Sequence, residues 1–180
     1  TSPFVADLLP GDPEVTNLSY TKGSRRWLAG PQGLPLFKPP YGRITAINMN
    51  TGEHEWMVPN GWGPVDNPAI ANLDLGKLGV PGRPSPLLTK SLLFIGEGMT
   101  NQRRGGRIPP DMPIEIATNS GGPWFRAYDK TSGEVLWEIE MEAGTTNPPV
   151  SYVYNGRQYL LVAIGDSRHA PEMVAFALPE

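Results

Sequence analysis

Gly42-Arg43-Ile44-Thr45-Ala46-Ile47-Asn48-Met49-Asn50-Thr51-Gly52-Glu53-His54-Glu55-Trp56 returns later in the chain as Trp124-Phe125-Arg126-Ala127-Tyr128-Asp129-Lys130-Thr131-Ser132-Gly133-Glu134-Val135-Leu136-Trp137. The shared pattern is Ala-x-Asn/Asp-x-x-Thr/Ser-Gly-Glu-x-x-Trp. In each copy an alternating strand runs to the Ala. The Asn/Asp-to-Gly segment then supplies a tight turn with a positive-φ position, and a second strand carries the Trp. One hairpin is written twice, and a repeated supersecondary unit governs the fold reading before any single element does.

Working outward from the repeat, residues 60–86 form a long Gly/Pro-rich loop. Leu87-Leu88-Thr89-Lys90-Ser91-Leu92-Leu93-Phe94-Ile95-Gly96 reads as two strands meeting near Lys90-Ser91, and residues 97–123 form a second long loop before the second hairpin. Three more strands are expected at 149–154, 158–164 and 173–178, the first two joined by Asn155-Gly156, a strong hairpin signal. No segment has sustained helical periodicity; residues 67–73 suit one or two capped turns. The chain is all-β, and from the first hairpin onward its strands group as two, four and three. Four antiparallel strands with a Trp near the end of the outer hairpin is how a propeller blade reads in sequence. A nine-strand β-sandwich predicts even strand spacing of about 8–12 residues and fits the long loops less well. The organisation expected is one partial propeller domain over 1–180. In it, 1–59 is the end of one blade with a preceding loop, 84–140 a complete blade, and 146–178 a last blade lacking one strand.

Composition agrees. Gly and Pro number 21 each in 180 residues, about twice their average share, which is turn chemistry rather than helix chemistry. Apolar residues at 39% exceed what a disordered chain carries. The absence of Cys excludes disulfides, thiolate nucleophiles and the common zinc sites. With 2 His, His54 and His169, a multi-His metal site is excluded. A net charge of -3 gives no electrostatic reason to expect nucleic acid or an anionic membrane. The longest apolar runs fall well short of the roughly 18 residues a bilayer span needs. The N-terminus carries neither an initiator Met nor a signal peptide pattern, so a leader has been removed or the chain is a piece of something longer.

The Trp-ended repeat, taken with Pro39-Pro40-Tyr41-Gly42-Arg43-Ile44-Thr45-Ala46, Trp56-Met57-Val58-Pro59-Asn60-Gly61, Leu92-Leu93-Phe94-Ile95-Gly96-Glu97-Gly98 and Val174-Ala175-Phe176-Ala177-Leu178-Pro179, resembles the C-terminal part of pyrroloquinoline quinone (PQQ) dependent dehydrogenases. The likeness is to their glucose, glycerol and polyol branch. It covers nearly the whole chain, more weakly at 1–27 and 101–120. The resemblance implies an eight-bladed propeller holding PQQ and Ca²⁺ near its axis, of which this chain is about the last two and a half blades. It also implies oxidation of an alcohol, polyol or sugar, electron transfer to a quinone or cytochrome, and a periplasmic location. The partner it implies is the upstream part of the same propeller, which would carry the catalytic Asp and the calcium ligands. A non-catalytic propeller for protein–protein interaction, of the outer-membrane assembly type, is the alternative.

PQQ is an ortho-quinone with three carboxylates, and this chain offers groups suited to the carboxylates. Arg83, in Pro81-Gly82-Arg83-Pro84-Ser85-Pro86, precedes an inner strand, and its guanidinium fork matches a carboxylate; a surface or structural role competes. Thr146 and Asn147 lead into the next inner strand in the same way, as cofactor contacts or as turn caps. His169, in Gly165-Asp166-Ser167-Arg168-His169-Ala170-Pro171, lies where several glucose-oxidising relatives place a His on the substrate face, although Asp166 occupies the aligned slot. Arg103, Arg104 and Arg107 form the one basic cluster, read as a solvated loop. Glu97, Asp111, Glu115, Asp166 and Glu172 fall in or beside loops and are read as solvated carboxylates. Trp56 and Trp137 are assigned to packing between neighbouring blades.

Overall fold

The computed structural model describes residues 4–27, 30–98, 121–166 and 169–178. The basic cluster, Asp111 and Glu115 lie outside them. Among the described residues eleven strands make four antiparallel sheets. β1 (Phe4–Pro10) pairs with β2 (Tyr20–Trp27), and β3 (Arg43–Ile47) with β4 (His54–Pro59). β5 (Leu87–Leu88), β6 (Leu92–Gly96), β7 (Trp124–Asp129) and β8 (Val135–Glu140) form a four-stranded sheet in sequence order. β9 (Val150–Tyr154), β10 (Arg157–Ile164) and β11 (Glu172–Ala177) form a three-stranded one in the order 11-10-9. The only helices among the described residues are single 3-10 turns at Pro31–Gly33 and Ala71–Leu73.

From residue 43 onward the sheets hold two, four and three strands, as the repeat predicts. The ribbon β1–β2 is the difference: a loop was expected ahead of the first hairpin within 1–59. The strand signal there is hidden because β2 reads Tyr-Thr-Lys-Gly-Ser-Arg-Arg-Trp, with little apolar alternation. The connection is built instead from local polar bonds. Asp12 accepts from the Glu14 and Thr16 amides, Thr16 Oγ1 from the Leu18 amide, and Gly11 N donates to Ser19 O at 3.0 Å.

The two copies of the repeat fold identically, down to their irregularities. Ala46 pairs with Trp56 and Ala127 with Trp137, and each register slips at the next residue, between Ala46 and Ile47 and between Ala127 and Tyr128. Both turns close with the same two backbone bonds, Asn48 N to Glu53 O and Gly52 N to Asn48 O in one, Asp129 N to Glu134 O and Gly133 N to Asp129 O in the other. The side-chain oxygen of Asn48 or Asp129 accepts the amides that follow, an Asx turn that explains why the pattern tolerates either residue but needs an oxygen there.

The sheets stack face to face. Alternation along β6 sends Leu93 and Ile95 one way and Phe94 the other. Leu93, Ile95 and Tyr128 pack against Ile44, Trp56 and Val58 of the β3–β4 hairpin. On the opposite face Phe125, Ala143, Val162 and Ile164 form the core with Phe94, Leu160, Val174 and Phe176. Phe125 stacks between Phe94 and Phe176 at ring separations of 6.3 and 6.2 Å, and Trp137 meets both Phe125 and Phe176 edge-on. The inter-sheet seam is fixed by Trp56, whose Nε1 donates to Lys130 O at 3.0 Å while its ring covers Gly133 in the equivalent turn of the next sheet. A Cβ on Gly133 would stand 2.6 Å from Trp56 Cε3, so the repeat's glycine is needed for this contact as well as for its φ of 74°.

Candidate functional site

The loops that leave β4 and β6 and return to β5 and β7 gather at one end of the four-stranded sheet. Residues 60–62 and 78–80 run antiparallel through Leu78 N to Trp62 O, Gly79 N to Gly61 O and Val80 N to Asn60 O; Gly121 N reaches Pro81 O and Gly122 N reaches Gly98 O. Asn60 joins neighbouring sheets, donating from Nδ2 to Gly96 O at 2.8 Å and accepting at Oδ1 from Tyr128 OH at 3.2 Å. Burial raises the Tyr128 pKa, so the phenol stays a donor.

The charged centre of this end is Glu97, 2% exposed, paired with the fully buried Arg126. Arg126 Nη1 donates to Glu97 Oε1 at 2.7 Å and Nε to Glu138 Oε2 at 2.8 Å, and Lys77 Nζ lies 3.4 Å from the same Glu138 oxygen. A methyl group on Gly61 or Gly122 would overlap the Glu97 carboxylate, so the two glycines leave the slot it fills. Burial pushes the Glu97 carboxyl up, opposed by its bond to Arg126, whereas Glu138, half in water, is held down by Arg126. The two carboxylates outweigh burial at Arg126 and raise it further, so the guanidinium carries its charge throughout. Sequence reasoning left Glu97 as a solvated loop residue and passed over Arg126. The available signal was an Arg set among Trp124, Phe125, Ala127 and Tyr128 on one strand.

The expected site residues are placed as follows. Arg83 is exposed beside Gly98 and makes no hydrogen bond or ion pair among the described residues. Thr146 is tied to β10, its amide and Oγ1 both donating to Ala163 O, at 2.9 and 3.3 Å. Asn147 is exposed. His169 is held by its amide on Asp166 Oδ1 at 2.8 Å, with Nε2 3.2 Å from Glu172 and Nδ1 3.7 Å from Glu142. No hydrogen bond or ion pair among the described residues links Arg83, Asn147 and His169 to one another. Among the described residues two buried polar atoms have no partner, Arg126 Nη2 and Thr145 Oγ1. They do not converge. Arg126 lies in register with Ile95, and Thr145 packs against Gly96, so they face opposite sides of the sheet.

Residues 10–160 match the family described as PQQ: Glucose/ethanol/alcohol dehydrogenase, beta-propeller domain. This chain belongs to that quinoprotein family. Among its relatives are quinoprotein glucose dehydrogenase A of Acinetobacter calcoaceticus, 25% identical over 99% of this chain and 22% of its own. Another is quinate/shikimate dehydrogenase (quinone) of Acinetobacter baylyi, 31% identical over 81% of this chain and 16% of its own. The chain therefore spans about a fifth of the length of the curated relatives it matches. The crystal structure of quinohemoprotein alcohol dehydrogenase from Comamonas testosteroni covers 98% of this chain with 38% of its own, at 14% identity and a TM-score of 0.31. The family membership identifies the stacked sheets as part of a quinoprotein β-propeller, a fold whose family is defined by PQQ.

Proposed function

We propose that this chain is the C-terminal part of a PQQ-dependent dehydrogenase that oxidises an alcohol, polyol or sugar and passes the electrons to a quinone or cytochrome. The observation that carries the reading is the family match over residues 10–160, joined to a repeat whose two copies share turn, bulge and register. PQQ, when bound, accepts the hydride equivalent from the substrate. The chain's own residues suit its carboxylates: Arg83 and Asn147 are exposed on the segments that enter β5 and β9, the first strands of their sheets, and the Arg83 guanidinium makes no ion pair among the described residues. These two would hold carboxylates, with Thr146 fixing the backbone beside Asn147 and His169 on the substrate face. Ca²⁺ would be bound by residues outside this segment, since the buried carboxylate among the described residues, Glu97, is committed to Arg126. The upstream part of the propeller is the proposed partner, supplying the missing strands, the base and the metal ligands, and the protein is assigned to the periplasm.

The test is reconstitution of the full-length protein. Reduction of an artificial dye by glucose, glycerol or ethanol should require PQQ and Ca²⁺ together, and Arg83→Ala should weaken PQQ binding, read by quenching of protein fluorescence, at least tenfold. Activity with a nicotinamide cofactor alone, or none with any alcohol or sugar, would overturn the reading.

A further inference from the structure

Glu142, on the connection between β8 and β9, His169, on the connection between β10 and β11, and Glu172, the first residue of β11, bring two carboxylates and an imidazole to one spot. One ligand atom from each lies within 4.8 Å of the other two. The arrangement is an imidazole set between acids: Nε2 is 3.2 Å from Glu172 Oε1 and Nδ1 3.7 Å from Glu142 Oε2. Among the described residues no Lys or Arg pairs with either glutamate, and His169 faces both. Asp166 adds a third acid at the base of the loop. Its carboxylate accepts the His169 amide at 2.8 Å, its own amide donates to His169 O at 3.1 Å, and the pair sets the loop that presents the ring. Two carboxylates and an imidazole within coordination reach of one point make a donor set for a divalent cation. One nitrogen with two oxygens suits a first-row transition ion rather than Ca²⁺, which takes oxygen alone.

We propose that Glu142, His169 and Glu172 form a site for a divalent transition cation of the Zn²⁺ class, separate from the cofactor's calcium. Water fills the remaining coordination positions, because Glu142 and Glu172 are exposed on their outer sides. The ion ties the segment entering β9 to the start of β11, beside the contacts that segment makes through Thr145 to Ile164, Thr146 to Ala163 and Gly144 to Gly165.

Titration calorimetry of ZnCl₂ into the full-length protein tests this without reference to dehydrogenase activity. Wild type should bind one Zn²⁺ more than the variant Glu142→Gln/His169→Ala/Glu172→Gln, and that equivalent should raise the melting temperature of wild type and not of the variant. Glu142→Gln alone, at a carboxylate 79% exposed and so harmless to folding, should weaken the extra site at least tenfold. Equal Zn²⁺ stoichiometry in wild type and the triple variant, or an unchanged isotherm in Glu142→Gln, would overturn the site; should the triple variant not fold, Glu142→Gln decides.

Discussion

Gly133→Ala is the sharpest probe of the seam between successive sheets, because its cost divides into a part from the backbone and a part from Trp56. Gly133 has φ 74° and Gly52, at the same place in the sister turn, has φ 77°. A side chain in that region costs about 1–2 kcal/mol at either position. A Cβ on Gly52 meets nothing within 4 Å, whereas on Gly133 it stands 2.6, 2.8 and 3.1 Å from three atoms of the Trp56 ring. Carbon atoms pack comfortably at about 3.5–4.0 Å, so the ring must retreat by roughly 1 Å. It is tethered by the 3.0 Å bond to Lys130 O and packed on Tyr128, Leu93 and Ile95, and overpacking of this kind costs about 1–3 kcal/mol. Gly133→Ala should therefore lose about 2–5 kcal/mol and Gly52→Ala only about 1–2. In a Trp56→Ala background, itself costing about 3 kcal/mol at a partly buried position, Gly133→Ala should fall to the Gly52→Ala value. The cycle, read by urea denaturation with circular dichroism, should give a coupling of about 1–3 kcal/mol between the two positions. Additivity within about 0.5 kcal/mol would refute the claim that the indole rests on this glycine.

Arg126→Met should cost roughly 3–5 kcal/mol because it leaves Glu97 buried without its cation. Adding Glu97→Gln should recover most of the loss, and a double variant no more stable than the single would show that something other than stranded charge is responsible. Asp129 is held below its ordinary 3.8 by the Thr131 hydroxyl and the Ser132 and Thr131 amides, and Glu138 below its ordinary 4.5 by Arg126. A lowered carboxyl stabilises fully above its unfolded pKa and loses that contribution as pH falls through the folded value, so both steepen acid unfolding. Glu97, raised by burial, has the opposite sign: its contribution is present below the unfolded pKa and is lost as pH rises through the folded one. Asp129→Asn, which installs the residue that serves the first turn at Asn48, should keep the turn and flatten the acid limb of a pH-stability profile. An unaltered limb would refute the assignment.

The hairpins were legible because their signal is local. An oxygen at the turn start, a glycine at the left-handed position and alternation on either side are all set within eleven residues, and each is visible as a letter. The four-stranded sheet was legible for the same reason, since Leu87 to Gly96 carries its own break at Lys90-Ser91. The ribbon β1–β2 was not, because its partners are joined by a polar turn and its second strand has no apolar face. Glu97 and Arg126 stayed hidden for a different reason. They are 29 residues apart in sequence, and only the pairing of β6 with β7 sets them side by side. His169 was read from its loop, but its neighbour Glu142 comes from another connection, and nothing in the spacing of 142 and 169 announces the contact.

The two faces of the four-stranded sheet change character at the same end. Along β6 the order Leu93-Phe94-Ile95 buries apolar groups on alternate sides, and the next two residues break the alternation on both. Gly96 has no side chain, and Thr145 from the following sheet occupies the space, where a methyl would overlap it. Glu97 puts a carboxylate where the pattern calls for an apolar group, and Arg126 from β7 answers it. The apolar seam that holds one sheet to the next therefore stops one turn short of the loops, and directed polar contacts take over: Asn60 to Gly96 O, Tyr128 to Asn60, Arg126 to Glu97 and Glu138. Burial of apolar area is indifferent to small sliding motions, whereas hydrogen bonds are directional, so the loop-bearing end is where relative position of the sheets is set. Arg83 lies against Gly98, two residues beyond Gly96, and Asn147 follows Thr145 by two. The groups suited to an anion thus sit next to the part of the fold whose geometry is fixed by directed bonds rather than by the core.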